Sequence, residues 1–189
     1  MMKEEVHITN SFEETKELGE GFILQSRILH RGTKGSIIIA LYGDLGSGKT
    51  TFAQGLAKGL GIEKRLISPT FIIVRQYQLK CPIYSSSEHQ RVEKFSKFSS
   101  LRQLADRTIN FYHIDLYRVQ SKRDIGGLGI EEIINDSQNI VVIEWAEKMG
   151  NLLPKSRIDI KFEYLNENKR EISILKSNIK KQKSKKDQN

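Results

Sequence analysis

The chain has one cysteine, Cys81, among its 189 residues, with only three prolines and one tryptophan. A single thiol excludes an internal disulfide, and four scattered histidines do not form the Cys/His constellation of a structural zinc site. No apolar run approaches the roughly 20 residues needed to cross a bilayer. Met1-Met2-Lys3-Glu4-Glu5 lacks the apolar core of a secretion signal. These absences lead us to expect a soluble, cytoplasmic protein. Hydrophobic residues make up 38% and charged residues 29% of a length that suits one α/β domain with a substantial core.

Charge is unevenly spread. The net +8 resides in two places: residues 176–189, with six lysines against one aspartate, and residues 80–108, with six basic residues against three acidic ones. The rest of the chain is neutral, so the basicity belongs to a tail and an internal segment. The tail has hardly an apolar residue and is expected to stay disordered, serving solubility or a weak attraction to RNA. Residues 80–108 read as a surface insertion. Val92, Phe95, Phe98, Leu101 and Leu104 recur every three residues there and suggest a short helix over about 91 to 107. The expected organisation is one domain over residues 1–175 carrying that insertion, followed by the tail.

Against this background one stretch stands out. Gly43-Asp44-Leu45-Gly46-Ser47-Gly48-Lys49-Thr50 fits G-x-x-x-x-G-K-[ST] at every fixed position, the Walker A pattern. Its glycines permit backbone angles that turn successive N–H groups toward a polyphosphate. Lys49 is placed for the β and γ phosphates and the Thr50 hydroxyl for Mg²⁺. The context agrees: the apolar run Ile37–Tyr42 enters the loop as a strand buried on both faces. Phe52, Leu56 and Leu60 then recur every four residues until Gly59 and Gly61.

Further acids lie at the ends of apolar runs. Residues 109–115 form a strand delivering Asp115, and residues 140–144 a strand delivering Glu144, followed by Trp145. Both have the Walker B form, in which a buried strand presents a carboxylate for Mg²⁺ directly or through water. The cleaner apolar lead makes Glu144 the metal ligand and leaves Asp115 to orient water or support the metal. Ser68-Pro69-Thr70 reads either as a plain turn before a strand at 71–77 or as a segment sensing the γ phosphate. Ser11 and Glu14 form a capping box opening a helix with Leu18, Phe22 and Leu29 on one face, ending near Gly32. Gly126-Gly127-Leu128-Gly129 breaks the chain before a short helix at 130–135. Alternation over 157–164 and 171–175 predicts a hairpin of half-buried strands at one edge of the sheet. Asp124-Ile125-Gly126-Gly127 imitates the D-x-x-G of GTPases without an apolar strand before it. Asn168-Lys169-Arg170-Glu171 imitates N-K-x-D without its aspartate.

The Walker stretch continued through Thr51-Phe52, Ser68-Pro69-Thr70, His113-Ile114-Asp115-Leu116-Tyr117-Arg118 and Ile143-Glu144-Trp145-Ala146-Glu147 together closely resemble the TsaE (YjeE) family. These are small bacterial P-loop ATPases that take part in making threonylcarbamoyladenosine (t6A) in tRNA. The likeness extends over about residues 6 to 175 except the insertion. It implies a P-loop NTPase-type α/β sandwich of three layers, mostly parallel, with antiparallel edge strands. It also implies ATP and Mg²⁺ as cofactors, and TsaD and TsaB as partners. Thr50 and Glu144 would be the metal ligands, Gly46, Ser47, Gly48, Lys49, Thr50 and Thr51 the phosphate cradle beside Asp44, and Asp115 and Trp145 part of the active face. Ser47 stands where the family usually has alanine, Ala146 where it has proline, and the 80–108 segment is longer than the family's connection. Two other functions remain open on the residues. One is a small-molecule kinase with a lid bearing Arg91, Arg102 and Arg107, and the other an RNA-binding module.

Overall fold

The computed structural model describes residues 3–25, 36–62, 73–79 and 109–176. Ser68 and Thr70, the insertion, the carboxyl tail, and the far end of the first helix with Leu29 and Gly32 lie outside the described residues.

Strands β1 (Lys3–Thr9), β2 (Ile37–Tyr42), β3 (Val74–Leu79), β4 (Ile109–Asp115), β5 (Asn139–Glu144), β6 (Ile158–Tyr164) and β7 (Arg170–Lys176) form one sheet in the order β1-β7-β6-β2-β5-β4-β3. The four central strands, β6, β2, β5 and β4, are parallel. β3 is antiparallel to β4 on one side, and β7 and β1 are antiparallel on the other. The expected α/β class, with a mostly parallel centre and antiparallel edges, is what forms.

Because side chains alternate across a strand, each central strand feeds two cores. Ile39, Leu41, Phe111, Ile140 and Val142 face helices α1 (Phe12–Gln25) and α2 (Lys49–Gly59). Ile38, Ala40, Ile114, Val141 and Ile143 face α3 (Lys122–Gly126), α4 (Ile130–Asn135) and a 3-10 segment, Ala146–Leu152. Helices on both faces of the sheet make three layers.

Several expectations on the sheet need adjustment. The edge strand on one side begins at Val74 and runs to Leu79, where a strand over 71–77 was expected; residues 71 and 72 lie outside the described residues. The hairpin is present, but β6 runs parallel to β2 and β7 is not outermost. The edge is β1, which hydrophobic patterning does not reveal, because its apolar residues Val6 and Ile8 are the exposed ones. What holds β1 is the backbone ladder to β7, from Lys3↔Lys176 to Thr9↔Arg170. The capping serine works as expected, with Ser11 Oγ accepting from the Glu14 N–H at 3.0 Å, while the Glu14 carboxylate accepts from the Asn10 N–H at 2.7 Å.

α1 and α2 cross where both are stripped to glycine. A Cβ at Gly55 would lie 2.0 Å from the Lys16 carbonyl oxygen, one at Gly19 2.3 Å from that of Phe52, and one at Gly59 2.4 Å from the Ile23 side chain. Backbone thus packs on backbone. Phe22, Phe52 and Phe162 pack beside the crossing with ring centroids 5.9 and 5.5 Å apart. Alanine normally favours a helix over glycine, yet at Gly55 the obstacle is backbone and cannot rotate away. Gly55→Ala is therefore expected to lose about 2 kcal/mol or more in urea denaturation. Gly126→Ala, whose Cβ would meet nothing within 4 Å, is expected to be neutral or to gain about 0.5 kcal/mol.

Candidate functional site

The carboxyl ends of the parallel strands converge on the loop between β2 and α2. Gly43, Gly46 and Gly48 take φ of 136°, 77° and 102°. A side chain at Gly43 would also run into the Phe162 carbonyl, 2.4 Å away. Leu45 is exposed at the tip and Ser47 is buried beneath it. From Gly48, α2 starts at Lys49, so its first N–H groups and dipole end open onto the hollow of the loop.

Lys49 is almost completely buried. Its ammonium donates to the carbonyls of Gly43 at 2.6 Å and Asp44 at 2.7 Å, with the Ser47 hydroxyl at 3.4 Å. It lies 4.1 Å from the centroid of the Trp145 ring, a cation–π contact. Burial pushes its pKa below the usual lysine range, while the carboxylates of Glu144, Glu147, Asp115 and Asp44 favour the charged form.

The next residue reaches the neighbouring strand. Thr50 Oγ1 donates to Glu144 Oε2 at 2.7 Å, joining the first turn of α2 to the end of β5. Glu144 is only 2% exposed, and its other oxygen, Oε1, lies 2.7 Å from His113 Nε2 on β4. Asp115 is the register partner of Glu144 across the β4–β5 ladder, so both acids stand side by side on the α2 face. Asp115 Oδ1 accepts from the Tyr117 N–H at 3.0 Å. Thr51 is buried in the same turn of α2.

Trp145 has φ 59°, the only non-glycine positive φ among the described residues. This left-handed turn, costing about 1 kcal/mol or more for a residue with a Cβ, redirects the chain after Glu144 into the 3-10 segment and brings the indole over Lys49. Tyr117 packs against the indole at 5.2 Å, and Lys148 Nζ donates to the Tyr117 and Val119 carbonyls.

The structure therefore brings together Asp44, Gly46, Ser47, Gly48, Lys49, Thr50, Thr51, Asp115, Glu144 and Trp145 at the carboxyl ends of the parallel strands. Two residues acquire contacts that the sequence reading did not give them. His113, one pleat before Asp115, touches the central carboxylate. Arg170, at the start of β7, sends Nη2 to within 3.4 Å of the Gly46 carbonyl while Nη1 holds the carbonyls of Asn166 at 2.9 Å and Glu167 at 3.0 Å. His113 opens the motif His113-Ile114-Asp115-Leu116-Tyr117-Arg118 and Arg170 lies inside the N-K-x-D imitation, but neither pattern assigns the residue a contact. The D-x-x-G imitation resolves as structure: Asp124 Oδ2 accepts from the Ser121 N–H at 2.9 Å and the Gln120 N–H at 3.2 Å, which lowers its pKa. The N-K-x-D imitation is the β6–β7 turn, where Asn166 Oδ1 accepts from the Asn168 and Lys169 N–H groups.

A parallel-centred sheet with a Walker loop after β2 and a buried carboxylate at the end of the adjoining strand defines the P-loop NTPase type of fold. A family model described as "Threonylcarbamoyl adenosine biosynthesis protein TsaE" matches residues 9–172. The chain belongs to that family, whose place is in tRNA t6A biosynthesis. It is similar to the tRNA threonylcarbamoyladenosine biosynthesis protein TsaE of Rickettsia felis, 35% identical over 169 residues that cover 89% of this chain and 78% of that protein. The Bacillus subtilis protein of the same name is 31% identical over 137 residues, covering 72% of this chain and 68% of its own. A crystal structure of Bacillus subtilis YdiB superposes with a TM-score of 0.58 at 24% identity, covering 93% of this chain and 87% of that one, and supports the fold. Among the described residues, no helix is long and apolar enough to cross a membrane.

Arg170 ties the β6–β7 turn to the Walker loop and lies 4.8 Å from the Tyr164 ring. Arg170→Ala is expected to lower stability by about 1 kcal/mol in urea denaturation. Arg170→Lys should recover only part, because an ammonium cannot fork between the turn and the loop.

Proposed function

We propose that the chain is a Mg²⁺-dependent ATPase acting with TsaD and TsaB in tRNA t6A modification. The observation that carries this reading is the 2.7 Å contact between the Thr50 hydroxyl and the Glu144 carboxylate at the floor of the Walker loop. The donors fit the ion: both are hard oxygens. Mg²⁺ at phosphate sites is taken by one or two carboxylates plus the substrate's own oxygens. Thr50 and Glu144 would hold the ion, whose charge would offset that of the β and γ phosphates.

The remaining roles fall to the protein's own groups. The N–H groups of Gly46, Ser47, Gly48, Lys49, Thr50 and Thr51 receive the phosphate oxygens. Lys49 leaves the carbonyls of Gly43 and Asp44 for the phosphates and neutralises charge as it develops. Asp115, beside Glu144, orients the attacking water. Trp145 and Asp44 border the nucleotide, and Ser68 and Thr70 report on the γ phosphate. Adenine as the base follows from the family resemblance; Asp124 receives the Ser121 N–H before α3 and Asn168-Lys169 forms a turn, so neither imitation motif serves as a guanine reader. No arginine finger is assigned from the sequence, so turnover by the chain alone is slow and the partner complex completes the site.

ATP hydrolysis by the chain alone and with its own organism's TsaB and TsaD checks this. Slow turnover that rises with the partners is expected, and Lys49→Ala should reduce it by about 100-fold or more. Undiminished hydrolysis by Lys49→Ala would overturn the assignment, and transfer of labelled phosphate to a small acceptor would indicate a kinase. Salt-sensitive tRNA binding that survives Lys49→Ala but not deletion of residues 176–189 would indicate an RNA-binding module.

A further inference from the structure

His113 is the one fully buried imidazole among the described residues. Its Nε2 lies 2.7 Å from Glu144 Oε1, whereas its Nδ1, also buried, has no hydrogen-bond partner among the described residues. Two acceptors would repel at 2.7 Å, so Nε2 carries a proton and donates to the carboxylate. With no acceptor for Nδ1 among the described residues, the geometry places the donated ring proton on Nε2. The register explains the reach. His113 pairs with Val142 across the β4–β5 ladder and Asp115 with Glu144, so the imidazole sits one pleat below the carboxylate on the same face. Arg75 of β3 is its register partner on the other side.

A glutamate side chain has three rotatable bonds, and a metal ligand gains when they are locked before the ion arrives. Thr50 engages Oε2 and His113 engages Oε1, one oxygen each. We propose that His113 is a positioning residue for Glu144: its Nε2–H holds Oε1 in the floor of the site, so that Oε2 faces Thr50 and the Walker loop. This rests on the reading of Thr50 and Glu144 as the Mg²⁺ pair. Loss of groups that orient a metal ligand typically weakens metal affinity about 10- to 100-fold.

The test is a Mg²⁺ titration of the full chain with ATP bound, followed by fluorescence of Trp145, the only tryptophan. His113→Asn, which withdraws the donor from Oε1, is expected to raise the Mg²⁺ midpoint about 10- to 100-fold. His113→Gln places an amide N–H near the position of Nε2 and should stay close to the wild type. ATP affinity in EDTA should be equal in all three, since the hydrogen bond of His113 goes to Glu144 and not to the Walker loop. An unchanged midpoint in His113→Asn, an equal shift in His113→Gln, or a matching loss of ATP affinity in EDTA would overturn the proposal. The ¹⁵N shifts of the wild-type imidazole give a readout independent of variant folding: the Nε2–H tautomer is expected, and the Nδ1–H tautomer would refute it. A wild-type chain that binds ATP but shows no response to Mg²⁺ would instead remove the metal reading itself, and the proposal with it.

Discussion

A carboxylate shut away from water at the centre of a parallel sheet is costly unless its oxygens are occupied. Glu144 meets that condition with two elements distant in sequence, the first turn of α2 through Thr50 and the middle of β4 through His113. Both contacts require β5 to lie between β2 and β4, which the strand order provides. The geometry of the Walker loop and the register of the acidic strands are thus aspects of one arrangement. Shift β4 by one residue and His113 would turn to the opposite face, leaving an oxygen of Glu144 buried without a donor.

The same constraint reaches α1. Thr50 meets Glu144 only if α2 holds its height and rotation above the sheet. The glycine crossing of α1 on α2 permits backbone contact at Gly19, Gly55 and Gly59. At its amino end α1 supplies Thr15, whose methyl would lie 3.5 Å from a Cβ on Gly48 and whose hydroxyl pairs with that of Thr9 at 2.8 Å. Helix packing, edge strand and phosphate loop are therefore in contact at one point. Across the loop, Arg170 supports it from the β6–β7 turn.

What was legible in the sequence was chemistry carried by residue identity over short distances. Gly43, Gly46 and Gly48 announce the backbone angles they adopt, and an apolar run ending in Asp115 or Glu144 announces a buried strand with an acid at its tip. The short helix at 130–135 and the hairpin were readable for the same reason. Register was not legible, because no local pattern says that Asp115 will stand opposite Glu144 or that His113 will point at it. The first strand was invisible for a different reason. Val6 and Ile8 face solvent while Thr9 is buried, so the usual guide from apolar periodicity is inverted and backbone pairing carries the strand. Arg170 looked like part of a failed guanine motif, and its contact with the Gly46 carbonyl shows that it belongs beside the Walker loop.

Lys49 and Glu144 answer the same burial problem in opposite ways. Glu144 is anchored through Oε1 by His113 of β4, which the proposed reading gives no contact with the ligand, so that half of its orientation is built into the fold. Lys49 is satisfied by two carbonyls of its own loop and the face of Trp145, partners that on the proposed reading phosphate oxygens would replace. A charge that exchanges one set of acceptors for another loses little on binding, whereas a solvated lysine would first have to shed water. On the proposed reading the carboxylate is therefore the fixed half of the site and the ammonium the movable half. Trp145, held in its left-handed turn directly after the fixed half, covers the movable one. Departure of Lys49 from the indole is then the first local event that a bound phosphate would impose, and it occurs where β5, α2 and the loop meet.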